Sequence, residues 1–324
     1  MKMMPLEQRG ITNSRLLFGC MKFCGGMQAN PITDEEILQT ERAIDAALSI
    51  GITMFDHANV YAKGQAESIF GEVLKRRPEL REQIVIQSKC GYRIEQGTPK
   101  RYDFSKENIL QSVDGSLQRL GVEHMDILLL HRPDPLMEPE EIAEAFQLLL
   151  SSGKVSHFGV SNVGADQMKL IQSTLPMPLI VNQLDLSLGK LDWLDHGVLM
   201  NRKTDKVIRF PEGVLEHCRM ENVQLQAWGS LAQGRFTGRV MEQTTEAEQL
   251  TAELVQRMAN EKETTPEAIV LGWLMKHPAR IQPIIGTVNP KRIAACGDAV
   301  RQSELMTREE WYSLYITSRG QDIP

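Results

Sequence analysis

The chain has 324 residues, 42% hydrophobic and 24% charged, with a formal net charge of −6. That is enough apolar material for one large folded domain rather than a disordered chain, and the two signs of charge are interspersed, with no basic stripe to meet a nucleic acid. No apolar run reaches membrane-span length, the N-terminus turns polar at once, and five scattered cysteines (Cys20, Cys24, Cys90, Cys218, Cys296) suit idle thiols in a reducing cytoplasm better than disulfides or a zinc site.

In chain order, MPLEQRGITNS (4–14) reads as a small hairpin closing the floor of the domain. RLLFG (15–19) is a first strand. TDEEILQTERAIDAALSIG (33–51) is a helix opened by a capping box of Thr33 and Glu36 and closed by Gly51. ITMF (52–55) and IVIQS (84–88) are further strands. A helix capped by Ser105 and stopped by Gly121 leads to DILLL (126–130), and one ending at Gly153 leads to HFGVS (157–161). LIVNQ (179–183) and VQLQAW (223–228) are the next two strands. A helix with Thr265 as cap and Pro266 at its first position precedes IQPIIG (281–286).

Eight strands alternate with helical patterns, and several strands are continuous apolar runs, as expected of parallel strands covered by helices. The pattern predicts α/β architecture: a (β/α)8 TIM barrel forming a single domain over 1–324. A doubly wound open sheet is the alternative, but GCMKFCGGMQ after the first strand lacks its G-x-G-x-x-G fingerprint. Two long stretches, 185–212 and 230–246, are expected as rim loops.

Barrel enzymes carry their chemistry at the carboxyl ends of the strands. The second strand ends in Asp56, the third leads to Lys89 and the fourth to His131; Tyr61 comes after Asp56 by a short loop. Singly, these read as a turn residue, a solvated amine, a structural imidazole and a packing ring. Their joint placement gives them a chemical meaning. A phenol titrates near pH ~10 and is a reluctant acid, and a neighbouring ammonium lowers its pKa. Lys89 is placed to supply that charge, Asp56 to keep Lys89 charged, and His131 to orient a substrate oxygen. The set moves a proton to a carbonyl oxygen, and carbonyl reduction also requires a hydride from a nicotinamide cofactor.

FDHANVY (55–61), IVIQSKCG (84–91) and DILLLHRPD (126–134) resemble the Asp–Tyr, lysine and histidine signatures of the aldo-keto reductases. GKVSHFGVSN and PIIGTVNPKRI extend the likeness, and CGYR, LLLHRPDPLMEPEEIAEAF and MTREEWY resemble a bacterial YdhF-like branch. The resemblance implies Asp56, Tyr61, Lys89 and His131 as the catalytic tetrad and NADPH/NADP lying across the rim. Ser161, Asn162 and Gln183 match the residues that hold the nicotinamide carboxamide, and Trp228 stands where an aromatic ring, more often Tyr, stacks on it. Ser230, Leu231 and Gly234 match a loop over the pyrophosphate, with Arg235 adding charge. Gly286 and Thr287 match a phosphate site, Arg292 suits a 2′-phosphate, and Gly19 at the first strand's tip joins the set.

His57 departs from the family's small or hydroxyl residue and is expected to alter the pocket wall. Ala295 and Cys296 replace a Glu-Asn pair that some members use on the adenine. Trp193, Phe23 and Tyr92 are candidates for lining the substrate pocket. The implied activity is NADPH-dependent reduction of an aldehyde or ketone by a cytoplasmic enzyme acting on a small-molecule carbonyl, with no nucleic-acid or membrane partner. The rivals are an NADPH-binding regulatory protein with little turnover and an aldolase using Lys89 as a Schiff-base amine.

Overall fold

The computed structural model describes residues 3–24, 31–94, 97–202 and 207–324. Eight parallel strands form its centre: β1 (Leu17–Gly19), β2 (Met54–Asp56), β3 (Val85–Cys90), β4 (Met125–Leu130), β5 (Val155–Ser161), β6 (Leu179–Asp185), β7 (Gln224–Trp228) and β8 (Gln282–Ile285). They pair in chain order, and β1 closes the ring by pairing with both β2 and β8. All eight strands expected from the sequence are present, and the closed ring excludes the open sheet.

The strands alternate in facing. On β3, Val85 packs into the barrel interior while Ile86 and Cys90 pack outward into the layer shared with the helices. The helices form where their caps predict. Thr33 accepts from the Glu36 N–H at 3.2 Å while the Glu36 carboxylate accepts from the Thr33 N–H at 2.9 Å, opening the helix Asp34–Ser49. Ser105 and Thr265 cap Lys106–Leu120 and Pro266–Lys276 by accepting from the Asn108 and Ala268 N–H groups.

Inside the barrel, Leu17, Met54, Ile127, Leu129, Ile180, Val181 and Ile284 pack together in one apolar layer. Four strands also point glutamines inward. Gln87 and Gln226 exchange amide hydrogen bonds at 2.9 and 3.1 Å, Gln226 donates to Gln282 at 3.3 Å, and Gln183 donates to Gln226 at 3.0 Å. These buried amides satisfy one another in the barrel interior.

The expected N-terminal hairpin is a helix instead. Pro5–Gln8 makes one helical turn, with Pro5 in a position where its missing N–H costs nothing and the Glu7 carboxylate accepting from the Met4 N–H at 3.1 Å. The floor is nevertheless closed, because Leu6 is fully buried in the aliphatic layer. The two rim stretches are also more structured than expected. The first carries a helix, Asp192–Val198, and the second a single turn, Ala232–Gly234. After β3, Tyr92–Arg93 and Arg101–Tyr102 pair as a small antiparallel ribbon that no strand pattern in the sequence announces.

Leu6→Ala is expected to lower stability by about 2–5 kcal/mol through the cavity it leaves at the barrel floor. Urea unfolding measures this, and a change within experimental error would show that Leu6 is not the plug.

Candidate active site

Asp56 and Lys89 lie on adjacent strands, where parallel pairing sets Asp56 against Gln87, two residues before Lys89. The Lys89 ammonium is fully buried and donates three hydrogen bonds: to Asp56 Oδ2 at 2.7 Å, to the His57 carbonyl at 2.8 Å and to Tyr61 Oη at 3.1 Å. Those three bonds use every donor an ammonium has. The other Asp56 oxygen, Oδ1, accepts from Gln87 at 2.6 Å and Gln183 at 3.0 Å. The glutamine layer therefore ends on the carboxylate that anchors Lys89. A charged, saturated amine has no lone pair for a Schiff base, which removes the basis of the aldolase alternative.

Tyr61 reaches this pair because the chain reverses directly after it. Ala62 and Lys63 adopt left-handed conformations (φ 46° and 58°) before the helix Gln65–Arg76 begins. This backbone is costly for residues other than glycine, and it marks a segment held by its surroundings. His131 succeeds β4, held by its backbone N–H on the Cys90 carbonyl at 2.9 Å, and its ring meets that of Tyr61 edge-on with centroids 6.0 Å apart. The four residues read as a tetrad from the sequence are thus together.

Electrostatics corrects one expectation. Burial pushes the Tyr61 pKa up; the Lys89 charge and hydrogen bond oppose this without reversing it, and Asp56 adds to the rise. Tyr61 is therefore held as a protonated phenol, and Lys89 moderates the cost of its ionisation. For Lys89, burial pulls the pKa down, but Asp56 and Tyr61 together more than offset it, so the amine stays charged. Burial, helped by the charges of Lys89, Arg132 and Lys100, takes His131 down to about 2, which keeps its imidazole neutral.

A cavity of about 670 Å³ opens beside these groups. Asp56, Tyr61 and His131 border it, as do Gly19, Ser161, Asn162, Gln183, Trp228, Ser230, Leu231, Gly234, Gly286, Thr287 and Arg292. Asn162 takes a left-handed conformation (φ 61°). Its amide donates to Ser161 Oγ at 2.8 Å, and its oxygen accepts from the Trp228 indole at 3.1 Å. Ser230 is fixed by donating to the Ile284 carbonyl at 2.7 Å. One part of the cavity is thus an amide and hydroxyl cluster, and the remaining wall carries four cations, Lys22, Arg132, Arg239 and Arg292, against one further acid, Glu267.

Arg235 is the exception among the expected contacts: its guanidinium pairs with Glu248 and lies outside the cavity lining. Arg239, four residues on, lines the cavity instead, as do Lys22 and Arg132. The sequence signal for Arg239 was present, a second arginine in the same rim stretch, but only the turn at Ala232–Gly234 decides which one faces inward. His57 does not form the pocket wall. It is fully buried edge-on to Phe70 at 4.6 Å, kept neutral by burial with its pKa lowered to about 3. Trp193 and Phe23 are core residues, packed on Trp273 and between Phe18 and Phe70; only Tyr92 approaches the site, edge-on to His131 at 5.0 Å. Cys296 is buried against the Arg292 carbonyl, and all five cysteines are free and buried.

A closed parallel barrel with a phenol, an ammonium, a carboxylate and an imidazole gathered at its carboxyl rim, beside a cavity, is the arrangement of a barrel oxidoreductase. The model of the Aldo/keto reductase family matches residues 15–311, and the chain belongs to that family. It is 35% identical over 290 residues to the oxidoreductase YdhF of Escherichia coli, covering 87% of this chain and 88% of that one. It is 33% identical over 320 residues to a 6-dehydroglucose reductase of Agrobacterium fabrum, covering 96% of each. A glycerol dehydrogenase structure from Gluconobacter oxydans superposes with a TM-score of 0.78 at 23% identity, covering 96% of this chain and 93% of that one, and so shares the fold. Among the described residues, no helix is long and apolar enough to cross a membrane.

The lowered histidine pKa values and the raised one of Tyr61 leave none of these three groups titrating near neutrality. The single-turnover rate of carbonyl reduction is therefore expected to stay flat between about pH 6 and pH 9. A step centred near pH ~6.5, the ordinary histidine value, would show that His131 titrates and is not held neutral.

Proposed function

We propose that the protein is a cytoplasmic, NADPH-dependent carbonyl reductase in which Tyr61 is the general acid. The observation that carries this reading is the unbroken hydrogen-bond chain from Asp56 through Lys89 to Tyr61, delivered to the wall of a cavity shared with His131. Free thiols throughout are compatible with a reducing compartment.

The residues of the cavity suit a nicotinamide dinucleotide. Ser161, Asn162 and Gln183 offer the amide and hydroxyl chemistry a carboxamide requires, and the flat face of Trp228 stands beside them. Ser230, Leu231 and Gly234 would hold the pyrophosphate, with Arg239 taking the part expected of Arg235. Gly286 and Thr287 are the adjoining phosphate site. Arg292 is half of a basic pair with Lys291 and suits a 2′-phosphate, which favours NADPH over NADH. When bound, the cofactor supplies a hydride to the carbonyl carbon.

The chain's own residues do the rest. Tyr61 Oη accepts from Lys89, which leaves its own proton directed outward for the substrate oxygen. As negative charge develops on that oxygen, the phenol transfers its proton. The Lys89 ammonium stabilises the phenolate this creates, and Asp56 holds the ammonium in place. Neutral His131 donates a hydrogen bond that orients the carbonyl without competing as an acid. The same groups acting in reverse support alcohol oxidation.

Tyr61→Phe removes only the proton donor. Turnover with aldehydes, measured by NADPH absorbance, is expected to fall about 10²–10⁴-fold, while NADPH affinity, measured by quenching of tryptophan fluorescence, stays within about twofold of wild type. Wild-type turnover in this variant would remove Tyr61 from the role.

A further inference from the structure

The rim beside His131 carries charge that the proposed reaction does not use. Arg132 comes directly after His131, is half-buried and lines the cavity. Its guanidinium lies over the Trp228 ring, 5.7 Å from the centroid, and among the described residues no carboxylate pairs with it. A second cation approaches by way of Tyr92, whose ring is edge-on to His131: the Lys100 ammonium sits 4.7 Å above that ring, also without a carboxylate partner among the described residues.

The acids nearby are already engaged. Asp134 accepts from the backbone N–H groups of Phe104 and Leu136 at 2.8 and 2.9 Å. Asp103 is taken by Arg93 and Ser105, and Asp185 by Lys190. Two acids border the cavity: Asp56 is saturated by Lys89, Gln87 and Gln183, and Glu267, in the first turn of the helix Pro266–Lys276, makes no ion pair with Arg132. Half-burying a guanidinium without an anion costs solvation that its aromatic neighbour returns only in part. That cost is recovered when an anion arrives, and a planar fork is suited to a carboxylate, phosphate or sulfonate.

We propose that Arg132, supported by Lys100, binds an anionic group on the substrate, so that the enzyme selects aldehydes or ketones bearing a carboxylate, phosphate or sulfonate within reach of the carbonyl. This rests on the carbonyl-reductase reading. The position favours substrate over cofactor: Arg132 adjoins the imidazole that orients the carbonyl, whereas Arg239 and Arg292 stand at the phosphate-binding segments.

The test compares kcat/KM for 4-carboxybenzaldehyde with that for its neutral methyl ester, in wild type, Arg132→Gln and Arg132→Lys. Comparing the anionic-to-neutral ratio between proteins cancels the intrinsic reactivities of the two aldehydes. The wild-type ratio is expected to exceed that of Arg132→Gln by about tenfold or more, with Arg132→Lys recovering part of it and raised salt shrinking the difference. NADPH affinity, measured by fluorescence on the same proteins, separates the two possible ligands of Arg132. An equal ratio in wild type and Arg132→Gln overturns the inference, and so does a loss confined to NADPH affinity. Reduction of both aldehydes with an unchanged ratio leaves the carbonyl-reductase reading standing. Failure of wild type to oxidise NADPH with either, or with a panel of other aldehydes, removes that reading and this inference together.

Discussion

The buried ion pair of Lys89 and Asp56 is the constraint around which the site is built. Two charges taken from water cost several kcal/mol each unless their hydrogen-bonding capacity is met. Here it is met: the ammonium makes three bonds and the carboxylate accepts three, from Lys89, Gln87 and Gln183. Replacing such a pair with apolar residues often leaves a fold as stable or more so. The pair is therefore better understood through what it does to Tyr61 than as a stabilising device.

That pair reaches well into the barrel. Gln87 and Gln183 bind Asp56 and also Gln226, which in turn binds Gln282, and Gln282 donates to the Ser14 carbonyl at 2.6 Å. The network joins β3, β6, β7 and β8 to the segment before β1. A slip of one residue in any of these strands would turn a glutamine into the helix layer and leave its partners unpaired. The network that satisfies the catalytic carboxylate thus also specifies strand register, linking the geometry of the rim to the closure of the barrel.

Much of this was legible in the sequence because it comes from local rules. The strand tips Asp56, Lys89 and His131 could be read off because each ends an apolar run, and Thr33, Ser105 and Thr265 because a cap precedes a periodic stripe. What escaped depends on tertiary balance. The turn at Pro5–Gln8 is too short for periodicity to separate helix from hairpin. Arg235 and Arg239 are equivalent in composition, and only the turn between Ala232 and Gly234 sends one to Glu248 and the other to the cavity. His57 looked like pocket wall from its place beside Asp56, but strand alternation turns it toward Phe70. The direction of the Tyr61 shift was missed because the sequence showed the ammonium and not the burial that outweighs it.

The most direct test of the central claim removes the anionic anchor while keeping its shape. In Asp56→Asn, the amide retains the size of the carboxylate but no longer holds Lys89 charged beside Tyr61. The single-turnover rate of NADPH oxidation with a saturating aldehyde should then fall by about 10²-fold or more, with NADPH still bound. A rate equal to wild type would contradict the account, because Tyr61 would then be working without the charge that Asp56 secures.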